Sequence, residues 1–138
     1  MSGATDRLKL ERLAQKLFPR CKLLRTWELA GGSSAYMTAL EALLPNGRTK
    51  RLVARRPGEG SAAREFHTLQ AVHEAGIAAP APLLLDTSGD LFAEPVMLIE
   101  FVEGEPDYAP ADPARFVAQL AEQLAAIHRL RGANPNLA

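Results

Sequence analysis

The sequence has little of several features that would define a function at once. Cys21 is the only cysteine among 138 residues, so no internal disulfide can form and a reducing compartment is favoured. No stretch approaches the roughly 20 apolar residues of a membrane span, and the N-terminus lacks the apolar core of a signal peptide. Formal net charge is zero, which gives no support to a nucleic-acid or membrane partner. A cytoplasmic protein is expected.

Three common site motifs are also missing. Gly31-Gly32 is not part of the Gly-x-Gly-x-x-Gly pattern that binds dinucleotides, and the Gly-x-Ser-x-Gly pattern of a serine nucleophile is absent. His67 and His73 are six residues apart on one predicted helix, about 240° around its axis, so their side chains point away from each other. No zinc site is therefore expected.

Charge is unevenly distributed along the chain. Residues 1–70 contain thirteen Lys or Arg and six Asp or Glu, whereas residues 71–138 contain three and ten. One interpretation is a chance distribution of solvated surface charge. The other is a basic half that faces phosphate, beside an acidic rim that could attract a cationic substrate.

The apolar pattern predicts one α+β domain in which helices flank a mainly antiparallel sheet. Thr5 or Asp6, Ser61 and Asp112 are the candidate helix caps, and Gly76 and Gly132 the residues that follow helix ends. The pattern predicts helices over 5–18, 61–75 and from Pro113 onward, with strands over 22–30, 35–44, 50–56, 83–85 and 96–102. Pro45-Asn46-Gly47 predicts a turn between strands.

The glycine turn Gly31-Gly32-Ser33-Ser34 lies between the first two predicted strands. Glycine permits positive φ and brings backbone N–H groups close to an anion, and serine hydroxyls add donors. Taken alone, an ordinary hairpin turn is the more common explanation of the same residues.

Arg55 is the candidate phosphate ligand of the third strand. Side chains alternate along a strand, so Leu52 and Ala54 are expected on the core face, and Val53 and Arg55 on the other. A guanidinium there could bind phosphate oxygens through two parallel hydrogen bonds. Arg56 is the competing candidate, although it falls on the core face.

Glu65, at the start of the next helix, could orient Arg55, or it could simply compensate the helix dipole. Glu100-Phe101-Val102-Glu103-Gly104 ends an apolar strand. The Glu100 carbonyl could accept from an adenine amino group there, and the Val102 amide could donate to a ring nitrogen.

In this order, these motifs resemble the aminoglycoside phosphotransferase-like family, which is related to choline kinases and protein kinases. The resemblance covers roughly residues 8–130 and corresponds to the N-terminal lobe and the first helix beyond the hinge. Residues 1–103 would form the lobe, and residues 104–138 the hinge loop and the first helix of a truncated C-terminal lobe.

The resemblance implies an ATP site. Gly31, Gly32, Ser33 and Ser34 would cover the phosphates, and Arg55, in place of the usual lysine, would contact the α- and β-phosphates with Glu65 as its partner. Val53 and Ile99 would line the adenine pocket, and the backbone from Glu100 to Val102 would pair with adenine.

The resemblance also implies what phosphoryl transfer would still need. The family supplies its base and its magnesium ligands from a His-Gly-Asp…Asn segment and a later Asp-containing motif. Neither motif is present, since Arg-Leu-Arg follows His128, so Mg²⁺ is expected only with the missing catalytic lobe. This chain alone is predicted to be inactive.

Two functions remain open from the sequence. The chain is either the ATP-binding portion of a small-molecule phosphotransferase whose acceptor is unknown, or a free-standing nucleotide-binding or protein-interaction module. A lone lobe would expose an apolar face, which favours self-association or a catalytic-lobe partner.

Overall fold

The computed structural model describes residues 2–29, 35–58 and 60–133. These residues contain three helices and five strands, in the α+β arrangement that the sequence predicts. The helices are α1 (Ser2–Leu17), α2 (Ala62–Glu74) and α3 (Pro113–Ala133), and the strands are β1 (Lys22–Glu28), β2 (Tyr36–Leu43), β3 (Thr49–Arg56), β4 (Pro82–Asp86) and β5 (Val96–Glu100).

The strands form a single antiparallel sheet with the order β1-β2-β3-β5-β4. The β2–β3 connection is the predicted turn: Gly47 adopts a φ of +85°, and the Asn46 side-chain oxygen accepts from the Arg48 N–H over 3.0 Å. β5 pairs with both β3 and β4. The last residue of β5, Glu100, is paired with Leu52, so the end of β5 lies beside the middle of β3.

One face of the sheet packs against α1. The helix buries Leu10, Leu13 and Ala14, a spacing that places them on one helical face. They belong to one cluster with the sheet residues Leu23, Leu40, Ala42, Leu52, Ala54, Val96 and Leu98. This cluster is the larger of the two apolar cores in the described residues.

The opposite face of the sheet packs against α2. Val53, Met97 and Ile99 lie in a cluster with Ala62, and Phe66 and Leu69 of the helix pack against it. The predicted alternation along β3 is confirmed, because Leu52 and Ala54 belong to the α1 side and Val53 to the α2 side.

Predictions about helix ends were partly wrong. Helical backbone begins at Ser2, so Thr5 and Asp6 lie within α1 and do not precede it. Ser61 precedes α2 but makes no side-chain capping hydrogen bond. Helix α3 continues through Gly132 to Ala133, since one glycine costs a helix only about 1 kcal/mol.

Two other helix ends agree with the prediction. The Asp112 Oδ1 atom accepts from the Arg115 N–H over 3.0 Å, which caps the start of α3. Gly76 adopts a φ of +77° just after α2, and its N–H donates to the His73 carbonyl over 3.0 Å. Glycine suits this left-handed position because it has no Cβ.

Helix α3 carries an apolar stripe that remains largely exposed. Five of its large apolar side chains are between 41% and 61% exposed: Phe116, Val117, Leu120, Leu124 and Ile127. None of the helices in the described part of the chain is both long and apolar enough to cross a membrane.

Candidate functional site

An apolar row crosses the α2 side of the sheet. The strand register aligns Trp27 with Ala39, Ala39 with Val53, and Val53 with Ile99. Ala39, Val53 and Ile99 are buried, and Trp27 is half-buried. Two of the sequence-predicted site residues, Val53 and Ile99, are therefore direct neighbours on adjacent strands.

Arg55 lies in the next row of the same face, paired with Met37 and Met97. Its Nε atom donates to Oε2 of Glu65 over 2.9 Å, and its Nη1 atom lies 3.4 Å from the Met37 sulfur. The Arg55 and Glu65 side chains are 22% and 35% exposed. The structure thus brings together the two charged residues that the sequence analysis paired, with part of each still open to solvent.

The packing of α2 fixes where Glu65 lies. Ala62 is buried against the sheet, and Phe66 and Leu69 pack on the same cluster, so the first turn of the helix is held over β3. The Glu65 N–H donates to the Ser61 carbonyl over 2.9 Å. Glu65 is thus presented by regular helical backbone, which limits how far its carboxylate can move.

Arg56, the competing candidate, lies on the other face of the sheet. Its guanidinium is 5.1 Å from the Phe92 ring centre and 5.5 Å from that of Tyr36. Phe92 belongs to the apolar cluster on the α1 side. Of the two arginines, Arg55 is therefore the one that shares a face with Val53 and Glu65.

A cavity of about 440 Å³ opens between this face and α2. It is mainly apolar, with the Arg55–Glu65 pair on its wall. The lining residues are Met37, Arg55, Arg64, Glu65, Thr68, Leu69, Pro80 and Ile99. Sequence reasoning missed Met37, because its place in the cavity wall depends on strand register.

The strand β5 ends at Glu100 and not, as predicted, at Val102. Its pairing with β3 stops at Leu52–Glu100. Beyond it, the Phe101 ring turns back to meet Trp27, with ring centres 5.8 Å apart. Residues 101–103, the post-β5 segment, thus continue as non-strand backbone beside the apolar row, and the Val102 side chain is exposed.

The glycine turn Gly31, Gly32, Ser33 and Ser34 lies outside the described residues. Leu29 before it and Met37 after it pack against the same apolar cluster as Val53. The Leu29 N–H donates to the Met37 carbonyl over 3.0 Å, and Met37 is paired with Arg55.

Charged groups also line the far end of this face. Glu41 accepts from Arg25 over 2.8 Å and from Arg51 over 3.4 Å. The Arg25 hydrogen bond is the main reason that the pKa of Glu41 is lowered; burial opposes it and Arg51 adds to it. Glu41 is therefore held ionised between two arginines.

Other chemistry finds no support in the described residues. Burial, reinforced by the charge of Glu11, raises the pKa of the Cys21 thiol, which disfavours a reactive thiolate. Within residues 2–29, 35–58 and 60–133, no group of three or more His, Cys, Asp or Glu side chains is arranged to hold a metal ion.

Comparison with known proteins identifies the family. The family model described as "Phosphotransferase enzyme family" matches residues 28–138, which is most of the chain. The chain belongs to the phosphotransferase enzyme family. The match includes the strands β2, β3, β4 and β5 and all of α2 and α3.

A solved structure of similar fold supports the architecture of this phosphotransferase-family chain. The crystal structure comes from Ralstonia eutropha JMP134, and its protein carries the provisional description aminoglycoside phosphotransferase. The TM-score is 0.56 at 16% sequence identity, over 76% of this chain and 31% of the other. The likeness shows a shared fold, and this chain spans less than a third of that protein. No protein with a curated description matches the sequence.

Proposed function

We propose that this chain is the ATP-binding portion of a small-molecule phosphotransferase that acts on an alcohol group. One observation carries the proposal: the Arg55–Glu65 pair lies on the same sheet face as the apolar row that contains Val53 and Ile99. A cation fixed beside an apolar surface is complementary to a nucleotide, whose phosphates are charged and whose base is aromatic.

Arg55 would bind the phosphates. Its guanidinium presents several donors in a planar fork that matches phosphate oxygens. Glu65 engages Nε, and Nη1 lies 3.4 Å from the Met37 sulfur, a weak acceptor that a phosphate oxygen would replace. Backbone N–H groups of Gly31 and Gly32, with the hydroxyls of Ser33 and Ser34, would add donors to the same phosphates.

The purine would lie against the apolar row. Ile99 lines the apolar cavity beside Arg55 and Val53 is its neighbour on β3, and removing an aromatic ring from water against such a surface is favourable. The Glu100 carbonyl and the Val102 amide would supply the two hydrogen bonds to adenine. The end of β5 at Glu100 supports this role, because the Val102 backbone lies beyond the strand pairing.

Bound ATP would supply the phosphoryl group, and the general base and the magnesium ligands would come from residues other than the described ones. The described residues do not fit a magnesium site, since they bring together no cluster of ligands suited to a metal. We therefore propose that transfer requires a catalytic lobe of the same family, which would also bind the acceptor. The acidic loop from Glu103 to Asp112 would help to recruit a cationic or hydroxylated acceptor.

A second candidate is a free-standing module that binds nucleotide or a protein without catalysis. The exposed apolar stripe of α3 favours it, because contiguous apolar surface of this kind marks interaction sites. The same stripe would serve as the contact for a catalytic lobe in the first candidate, or for self-association.

Calorimetric titration of the chain with ATP, adenosine and tripolyphosphate tests the proposal. We expect ATP to bind more tightly than either part, since the site would use both the phosphates and the purine. Absence of ATP binding would contradict the proposal. Binding of tripolyphosphate with the same affinity as ATP would contradict the assigned purine surface.

A further inference from the structure

The post-β5 segment (residues 101–103) is attached to the sheet by side chains, since its backbone lies beyond the β3–β5 pairing. Arg51 of β3 provides the central contact. Its Nη1 atom donates to Oε1 of Glu103 over 2.8 Å, and its guanidinium lies 5.8 Å from the centre of the Phe101 ring. One arginine therefore holds both ends of a three-residue segment.

Arg51 is itself fixed from the other side. Its Nε atom donates to Glu41 over 3.4 Å, and Glu41 also accepts from Arg25 over 2.8 Å. The Arg25 guanidinium lies 4.5 Å from the Trp27 ring centre, and the ring centres of Trp27 and Phe101 are 5.8 Å apart in an edge-to-face arrangement. The contacts thus form a closed circuit from β1 through β2 and β3 to the post-β5 segment.

Glu100 has a separate anchor, which limits what Arg51 controls. The Glu100 N–H donates to the Ala81 carbonyl over 2.9 Å, and the Ala81 N–H donates to the Glu100 carboxylate over 3.2 Å. Loss of Arg51 would leave this reciprocal pair intact. Its effect would fall on Phe101, Val102 and Glu103.

We propose that Arg51 is a positioning residue that orients the post-β5 segment so that the Val102 amide meets the purine. The inference rests on the proposed function. The ion pair with Glu103 adds little to folding, because the two side chains are 39% and 75% exposed and exposed pairs contribute little to stability. We therefore expect the loss of Arg51 to affect purine binding more than folding.

The test compares Arg51→Gln with Arg48→Gln, an exposed arginine in the β2–β3 turn. For Arg51→Gln we expect ATP affinity to fall roughly 3- to 10-fold, the cost of one misplaced hydrogen bond. Affinity for tripolyphosphate should not change, and the thermal midpoint should change little, because Glu41 keeps its hydrogen bond from Arg25. Arg48→Gln should match the wild type in all three measurements.

A double-mutant cycle identifies the route of the effect. Glu103→Gln should also weaken ATP binding, and the double variant should be no worse than Arg51→Gln alone, because both remove the same contact. Arg51→Lys should recover part of the loss. Additive losses, an equal loss for tripolyphosphate, or unchanged ATP affinity in Arg51→Gln would overturn the inference.

The same measurements separate this inference from the proposal on which it rests. If the wild type binds no ATP, both are wrong. If the wild type binds ATP and Arg51→Gln binds it equally well, the proposed function survives and the positioning role of Arg51 is refuted.

Discussion

The Nε atom of Arg55 donates to Oε2 of Glu65 over 2.9 Å, which joins the third strand to the first turn of α2. Both side chains retain partial exposure on the face that carries Val53 and Ile99. An ion pair that is this exposed contributes little to the stability of the fold. An ion pair that orients a cation toward a ligand must leave part of that cation accessible.

Glu65→Gln should separate these two roles. The neutral amide cannot hold the guanidinium as firmly, so we expect ATP affinity to fall while the unfolding free energy changes by no more than about 1 kcal/mol. Urea denaturation and nucleotide titration measure the two quantities. Glu74→Gln, an exposed change in the last turn of the same helix, is the control. Equal ATP affinity in both variants would contradict the orienting role.

Leu13→Ala should strongly destabilise the fold. Leu13 is fully buried between α1 and the sheet, and truncation of a buried leucine costs about 2–5 kcal/mol. Leu8→Ala, in the same helix but 50% exposed, should cost much less. Urea denaturation followed by the fluorescence of Trp27, the only tryptophan, measures both. Similar losses in the two variants would argue against the packing of α1 on this face.

Protonation of Asp86 should make the free energy of unfolding depend on pH in the acid range. Burial alone would raise its pKa, but hydrogen bonds from Lys16 and Ser88 outweigh it, so the pKa is lowered from 3.8. The stabilisation from ionised Asp86 is therefore complete above the ordinary pKa. It is lost as the pH falls through the lower pKa of Asp86 in the folded state. Unfolding free energy measured from pH 7 downward should decline in that range.

Asp86→Asn should weaken this acid dependence. The variant should also lose about 1–3 kcal/mol at pH 7, because a buried charged hydrogen-bond acceptor is replaced. Asp90→Asn, an exposed change in the following turn, is the matched control. The interpretation fails if Asp90→Asn alters the pH profile as much as Asp86→Asn does.

Leu120→Asn should leave the stability of the sheet almost unchanged. Leu120 is 59% exposed on α3, and surface substitutions of this kind usually fall within about 0.5 kcal/mol. Denaturation monitored at Trp27 tests this expectation. A loss comparable to that of Leu13→Ala would mean that the α3 stripe packs against the folded sheet.

Much of the fold could be predicted from the sequence because each element has its own pattern. The apolar spacing of Leu10, Leu13 and Ala14 defined the buried face of α1, and simple alternation separated Arg55 from Arg56. The turn at Gly47 also followed from local residues. These features depend on short-range geometry, which the sequence expresses directly.

The contacts around the end of β5 could not be predicted in the same way. The apolar run continues to Val102, yet the strand stops at Glu100 because Phe101 and Glu103 engage Trp27 and Arg51 from distant strands. Register across the sheet decides such contacts. The glycine turn that completes the proposed site lies outside the described residues, so its role remains a prediction.

Titration of ATP into Arg55→Ala and Arg56→Ala tests the central claim most directly. The two variants have the same composition and charge, because each replaces one arginine with alanine. They differ in the face of the sheet from which the arginine is removed. The account predicts that Arg55→Ala lowers ATP affinity at least tenfold, about 1.4 kcal/mol, while Arg56→Ala binds ATP as the wild type does. Equal affinity in the wild type and Arg55→Ala, or a larger loss in Arg56→Ala, would contradict it.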